Sequence, residues 1–129
     1  LLDQFTRNIF RNTPKSFAGD PQALTLALQA MQSGADQQLP EVVRVFMYLP
    51  LEHAEDPAMQ QRCVAAFDAM HQAAEDAELR EYLAGSLDYA HRHQVVIEQF
   101  CRFPHRNAIL GRTSTAEEAA YLAQPGSGF

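Results

Sequence analysis

The sequence predicts an all-α fold, an antiparallel array of helices in a single domain. Three observations carry this. Apolar residues recur at helical spacing along most of the chain. Helix starts recur at Asp20-Pro21, Pro40-Glu41 and Asp56-Pro57. No convincing alternating stretch reads as a strand. The connections are short, which favours antiparallel neighbours. No fixed-period repeat is visible, so self-similarity does not support a regular solenoid.

Leu1 to Arg11 reads as the first helix, with Leu2, Phe5 and Ile9 as its buried stripe. Asp3 and Arg7 stand at i, i+4, with the acid N-terminal, which suits an intrahelical pair. Gln4, Asn8 and Arg11 line up on another side. Asn12 to Asp20 reads as a connection. The second helix then runs to about Ser33, with Asp20 as N-cap, Pro21 in the first turn and Gly34 as its stop. Leu24, Ala27, Leu28 and Met31 form its inner face. Pro40 opens a shorter helix, Glu41 to about Leu49. It carries Val42, Val43, Val45, Phe46, Met47 and Leu49, so burial on most sides is expected.

Pro57 to Ala74 is an amphipathic helix with the stripe Met59, Cys63, Ala66, Phe67 and Met70, and Asp56 is its N-cap. A long helix follows from about Ala77 to Cys101. Its stripe is Leu79, Leu83, Ser86, Ala90, His93, Ile97 and Phe100. His93 on that apolar face reads first as a hydrogen-bonded core residue. Gly85 and Ser86 read as a close-packing point for a neighbouring helix. After Gly111, Ser114 with Glu117 and Thr115 with Glu118 both match a capping box for a short helix to about Ala123. Residues 124–129 form a tail.

The 129 residues fit one domain, and the hydrophobic fraction of 47% supports a core and argues against disorder. The net charge of −6 argues against a general nucleic-acid or anionic-membrane binder, and no apolar run approaches the ~20 residues that span a bilayer. Cys63 and Cys101 make no disulfide framework. Both occupy apolar positions, so two buried, unpaired thiols in a reduced, cytoplasmic protein are expected. The chain opens inside a helical pattern without Met, so a preceding helical segment of a longer protein is expected.

Polar chemistry concentrates in two places. His91 to Thr113 holds Arg92, Arg102, Arg106 and Arg112 against one acid, Glu98, a basic island in an acidic chain. Guanidinium forks suit carboxylate or phosphate. Pro104 forces Phe103 out of helical geometry, so His105, Arg106 and Asn107 start on a loop. The competing reading is that the arginines are solvated, or satisfy carbonyls at a helix end. The second place is Glu52-His53-Ala54-Glu55-Asp56. Asp56 is accounted for as a cap; Glu52, His53 and Glu55 are free to pair with the island's arginines. One His among carboxylates lacks zinc-helix spacing, and neither a metal nor a cofactor is expected.

Three segments together resemble a known family. They are Leu1-Leu2-Asp3-Gln4-Phe5-Thr6-Arg7-Asn8, the turn Leu49-Pro50-Leu51-Glu52-His53-Ala54-Glu55-Asp56, and Arg102-Phe103-Pro104-His105-Arg106-Asn107 followed by Leu110-Gly111-Arg112 and Ser114-Thr115. The pattern is similar to the bacterial domain-of-unknown-function family 924, whose members look like tetratricopeptide-type α-helical proteins. The resemblance covers the whole chain and implies a tetratricopeptide-like superhelix, with no established activity. Thr6 stands where the family usually has Pro, and Cys101 where it usually has Gly. The matching positions imply one polar pocket. In it Arg7 and Arg106 hold an anionic group, Asn8 and Asn107 orient it, and His53 or His105, with Glu55 beside them, are candidates for moving a proton. Three functions compete: a binder of a small anionic molecule, an interaction module for a protein partner, and a hydrolase-like His/carboxylate enzyme. A buried polar network that only ties helices together is the bland alternative.

Overall fold

The computed structural model describes residues 1–129. It contains seven α-helices and no strand: α1 Leu2–Ile9, α2 Asp20–Ser33, α3 Glu41–Glu52, α4 Pro57–Ala73, α5 Ala77–Phe100, α6 Asn107–Leu110 and α7 Ala116–Leu122. Short 3₁₀ turns occupy Pro14–Phe17, Ala35–Gln38 and Pro104–Arg106. Neighbours in sequence pack as neighbours in space: α2 on α3, α3 on α4, and α4 most extensively on α5. No helix is long and apolar enough to cross a membrane.

The helix ends follow from local chemistry. Asp56 caps α4 by accepting from the Ala58 N–H at 2.8 Å, and Asp76 caps α5 by accepting from Leu79 at 2.9 Å. Thr115 caps α7 by accepting from Glu118 at 3.1 Å, but the reciprocal half of the capping box is missing because the Glu118 carboxylate is engaged by Arg102 and Asn107. Asp20 is a correction. It is the first helical residue, not the N-cap, because its carboxylate turns to Arg7 at 2.7 Å. Gly19 stands before it, where an added Cβ would meet Thr6 Oγ1 at 2.6 Å.

The main core gathers Ala27, Val45, Tyr48, Leu51, Cys63, Phe67, Met70, Leu83 and Ala90 from α2 to α5. A smaller cluster, Val96, Ile97 and Phe103, sits under the Pro104 turn. The expected inner faces of α4 and α5 are buried, with Cys63, Phe67 and Met70 on one and Leu83, Ala90, His93 and Ile97 on the other, but α1 and α3 differ from expectation. Leu2, Phe5 and Ile9 are exposed, while Asp3 on the same helix is 1% exposed. The ion pairs of α1 claim its inward face, because charges that must be paired away from water can only be paired together. Val42, Val43 and Phe46 are also exposed, so α3 is covered on one side, not most sides. It also extends past Pro50 to Glu52, three residues beyond the expected end. Gly85 has no neighbour within 4 Å of its Cβ position, so no helix packs closely there.

The two thiols differ. Cys63 is buried and its thiol is pushed up by burial, with nearby Glu52 adding to the effect, whereas Cys101 is exposed. Cys101 closes α5 in the left-handed conformation at φ +60°, the helix-end position that glycine favours. That geometry throws its side chain off the core. A native thiol titration is expected to find one fast-reacting cysteine, and a second only on unfolding. Two slow thiols would contradict this arrangement.

Candidate functional site

The turn after α3 carries the second polar knot, and Gln60 holds it. Gln60 is fully buried, and its Nε2 donates to the carbonyls of Glu52 at 2.7 Å and Ala54 at 2.9 Å. These are carbonyls that a helix end leaves without partners. Arg106 donates to the one between them, His53 O, at 2.9 Å. The C-terminal loop is thereby tied to the turn through backbone groups.

Around this turn the three sequence segments meet. His53 Nδ1 lies 2.8 Å from Asp3 Oδ2 and 3.0 Å from Arg7 Nη1. One nitrogen cannot donate to the first and accept from the second. Burial opposes the charge on Asp3, but the His53 bond and charge, the Gln4 N–H and the Arg7 charge together outweigh it and hold the carboxyl below its ordinary value. An ionised Asp3 only accepts, so we assign the proton to His53 Nδ1, leaving Nε2 as the acceptor. Arg7 also reaches Asp20 at 2.7 Å. Burial first, and then the Arg7 charge, lower the His53 pKa against the pull of Asp3, so the ring is neutral at pH 7.

Arg106 is 6% exposed and lies between two rings, 4.5 Å from the Phe17 centroid and 4.7 Å from that of Phe103. Its Nη1 stands 4.0 Å from Asp20 and 3.9 Å from Glu55. Burial pushes it down to about 10, so it remains a cation at neutral pH. His105 beside it is pushed down to about 4 by burial and then by the Arg106 charge, and is neutral as well.

Arg7, His53, His105 and Arg106 border a cavity of about 490 Å³. Gln4, Arg7, Asn8 and Arg11 come from α1 and the turn that follows it, Glu52 and His53 from the end of α3, Tyr89 and His93 from α5, and Phe103, His105 and Arg106 from the loop. Asn8 is exposed at the rim and accepts from Arg11 at 3.3 Å. His93 is buried, with Nδ1 bonded to the Tyr89 carbonyl at 2.8 Å and its ring stacked on Phe129 at 3.8 Å.

Two of the expected residues lie elsewhere. Glu55 accepts both forks of Arg112, at 2.9 and 3.0 Å, and the Phe103 N–H at 2.6 Å. Burial raises its pKa, but Arg112, that N–H and the Arg106 charge together outweigh burial and hold it low. Asn107 is 1% exposed and donates to Glu118 at 2.5 Å and Ser114 at 3.1 Å, while accepting from Arg112 at 2.9 Å. Neither borders the cavity; both lock the loop that presents His105 and Arg106. Much of the basic island is therefore scaffolding. Arg102 and Arg112 are spent on Glu118 and Glu55, and Arg92 pairs with Asp88 at the surface.

Glu52, expected to pair with an arginine of the basic island, instead joins the site unpaired. It is 3% exposed, borders the cavity and has no cation against it. Burial alone pushes its carboxyl up to about 7. The sequence does carry a signal for it: three acids lie in this turn, Asp56 is used as a cap, and the arginines in reach serve Glu55.

Comparison with known proteins agrees on family and fold. A family model described as bacterial protein of unknown function, DUF924, matches residues 1–126. The chain belongs to that family. A solved structure of a protein of unknown function from Agrobacterium tumefaciens is similar, with a TM-score of 0.77 and 43% identity over 95% of this chain. The chain spans 62% of that protein's length. No curated protein matches.

Proposed function

We propose that this member of the DUF924 family binds a small anionic molecule in the cavity between α1, the His53 turn and the His105 loop. One observation carries the reading. Of the charged side chains that border the cavity, Arg7, Arg11 and Arg106 are cations and only Glu52 is an acid. The three histidines there add neutral hydrogen-bonding groups, since His53 is lowered and His93 and His105 are each held near 4 by burial. Asn8 adds an amide at the rim. Arg7 and Arg106 are already oriented by Asp20 and the His53 carbonyl, so little side-chain entropy is left to lose when an anion arrives.

Arg11 gives the cleanest test, because it is exposed and its only side-chain bond is to Asn8. Thermal-shift and calorimetric screens of carboxylates and phosphates on the intact protein should find a stabilising anion. Arg11→Ala should weaken its binding roughly three- to tenfold, about 1 kcal/mol, with an unchanged melting temperature in the absence of ligand. An affinity that does not move removes Arg11 from the site. A screen with no binding anion removes the reading.

The Asp3–His53 pair favours a second reading, an enzyme of hydrolase-like type. A neutral imidazole held by a carboxylate through Nδ1 has the form of a general base. Turnover of a bound anion, abolished in His53→Gln while binding persists, would separate this from binding alone.

A further inference from the structure

The Glu52 carboxylate stands where two hollows meet. It borders the cationic cavity on one side and, on the other, a groove of about 340 Å³ lined by Val45, Phe46, Leu49, Phe67, Tyr82 and Tyr89. It is the only charged residue on the groove wall. At 3% exposure it is a nearly buried acid, and none of the cavity's three arginines forms an ion pair with it. Arg7 and Arg106 are drawn instead to Asp3, Asp20 and Glu55. Removing a carboxylate from water without a partner is costly, and a chain that keeps one there gains if something else completes the pair.

We propose that the ligand is a zwitterion, with its carboxylate or phosphate on the arginine side of the cavity and an ammonium group on Glu52. This rests on the anion-binding reading and names the second half of the ligand. An ammonium is a compact cation with three donors, and it also favours the faces of aromatic rings. Tyr82 and Tyr89 supply such rings on the wall of the same groove. A purely anionic ligand leaves Glu52 opposite its own sign, while a purely cationic one meets three arginines. Only a molecule with both charges matches both walls.

The ligand's anionic end can come from a carboxylic acid or a phosphate ester, so the test uses both. The probes are ω-amino carboxylates of three to six carbons against their des-amino acids, and phosphoethanolamine against ethyl phosphate. Binding is measured by calorimetry at pH 8, where Glu52 is ionised. The expected result is that at least one amino member binds about tenfold or more tightly than its des-amino partner. Glu52→Gln, which keeps the shape, should remove that preference and leave the des-amino affinity within about twofold. At pH 7, titration in buffers of different ionisation enthalpy should show about half a proton released on binding the amine, because Glu52 is then close to half protonated in the free protein. Equal binding of both members of every pair overturns the zwitterion while leaving the anion site standing. A preference that survives in Glu52→Gln assigns the amine to another group and also overturns it. If no member of any pair binds, both readings fall together.

Discussion

Glu52→Gln will stabilise the protein by about 3 kcal/mol at pH 8 and leave it nearly unchanged at pH 4. The reason is the burial that pushes this carboxyl from 4.5 to about 7. Below pH 4.5 the folded and unfolded chains both hold the proton, and the side chain costs nothing as a charge. Between 4.5 and 7 the unfolded chain ionises while the folded one does not, so stability declines as pH rises. Above 7 both are ionised, and the folded state carries the cost of a charge held at 3% exposure without a cation against it. Each tenfold change in proton affinity corresponds to about 1.4 kcal/mol, so the rise from 4.5 to about 7 amounts to about 3 kcal/mol. In a domain of this size the melting temperature should rise by about 10 °C at pH 8. The measurement is urea denaturation of both proteins at pH 4, 6 and 8. A pH-independent difference, or a destabilised variant at pH 8, would show that Glu52 has a partner after all. A ligand ammonium would reverse the comparison, since the wild-type protein gains more from it.

Arg106→Ala should have the opposite sign at every pH, a loss of about 3 kcal/mol, and anion binding should vanish with it. Three contributions add. The His53 carbonyl loses its donor, worth about 1 kcal/mol for a buried acceptor. The rings of Phe17 and Phe103 lose the cation between them, worth about another 1 kcal/mol. Asp20 and Glu55 lose a positive neighbour at 4.0 and 3.9 Å. Arg106→Lys restores the charge but not the planar fork or the stack, so it should recover less than half of the loss. Calorimetric melting of the three proteins decides this. If Arg106→Ala melts within about 3 °C of wild type, Arg106 is not what ties the C-terminal loop to the turn.

The convergence of these groups is readable in part from the chain alone. Arg7, His53, His105 and Arg106 recur in three charged segments, and they do border one cavity. What the charges do there is not readable. Glu55 and His53 are two residues apart and look equally available, yet Glu55 is held by Arg112 and His53 by Asp3. Arg106 and Asn107 are adjacent, yet one faces the cavity and the other bonds Glu118. In a turn, successive side chains diverge, and spacing alone does not say which partner each one meets.

The sequence by itself determined the all-α class, the helix order and most of the helix ends, because periodicity, caps and prolines act over a few residues. Only the tertiary structure decided which face of α1 is buried, which arginines are spent on acids, and which acid is left alone. Those are contests among groups distant in the chain. Their outcome depends on which charges are desolvated together, a property that exists only once the helices have packed.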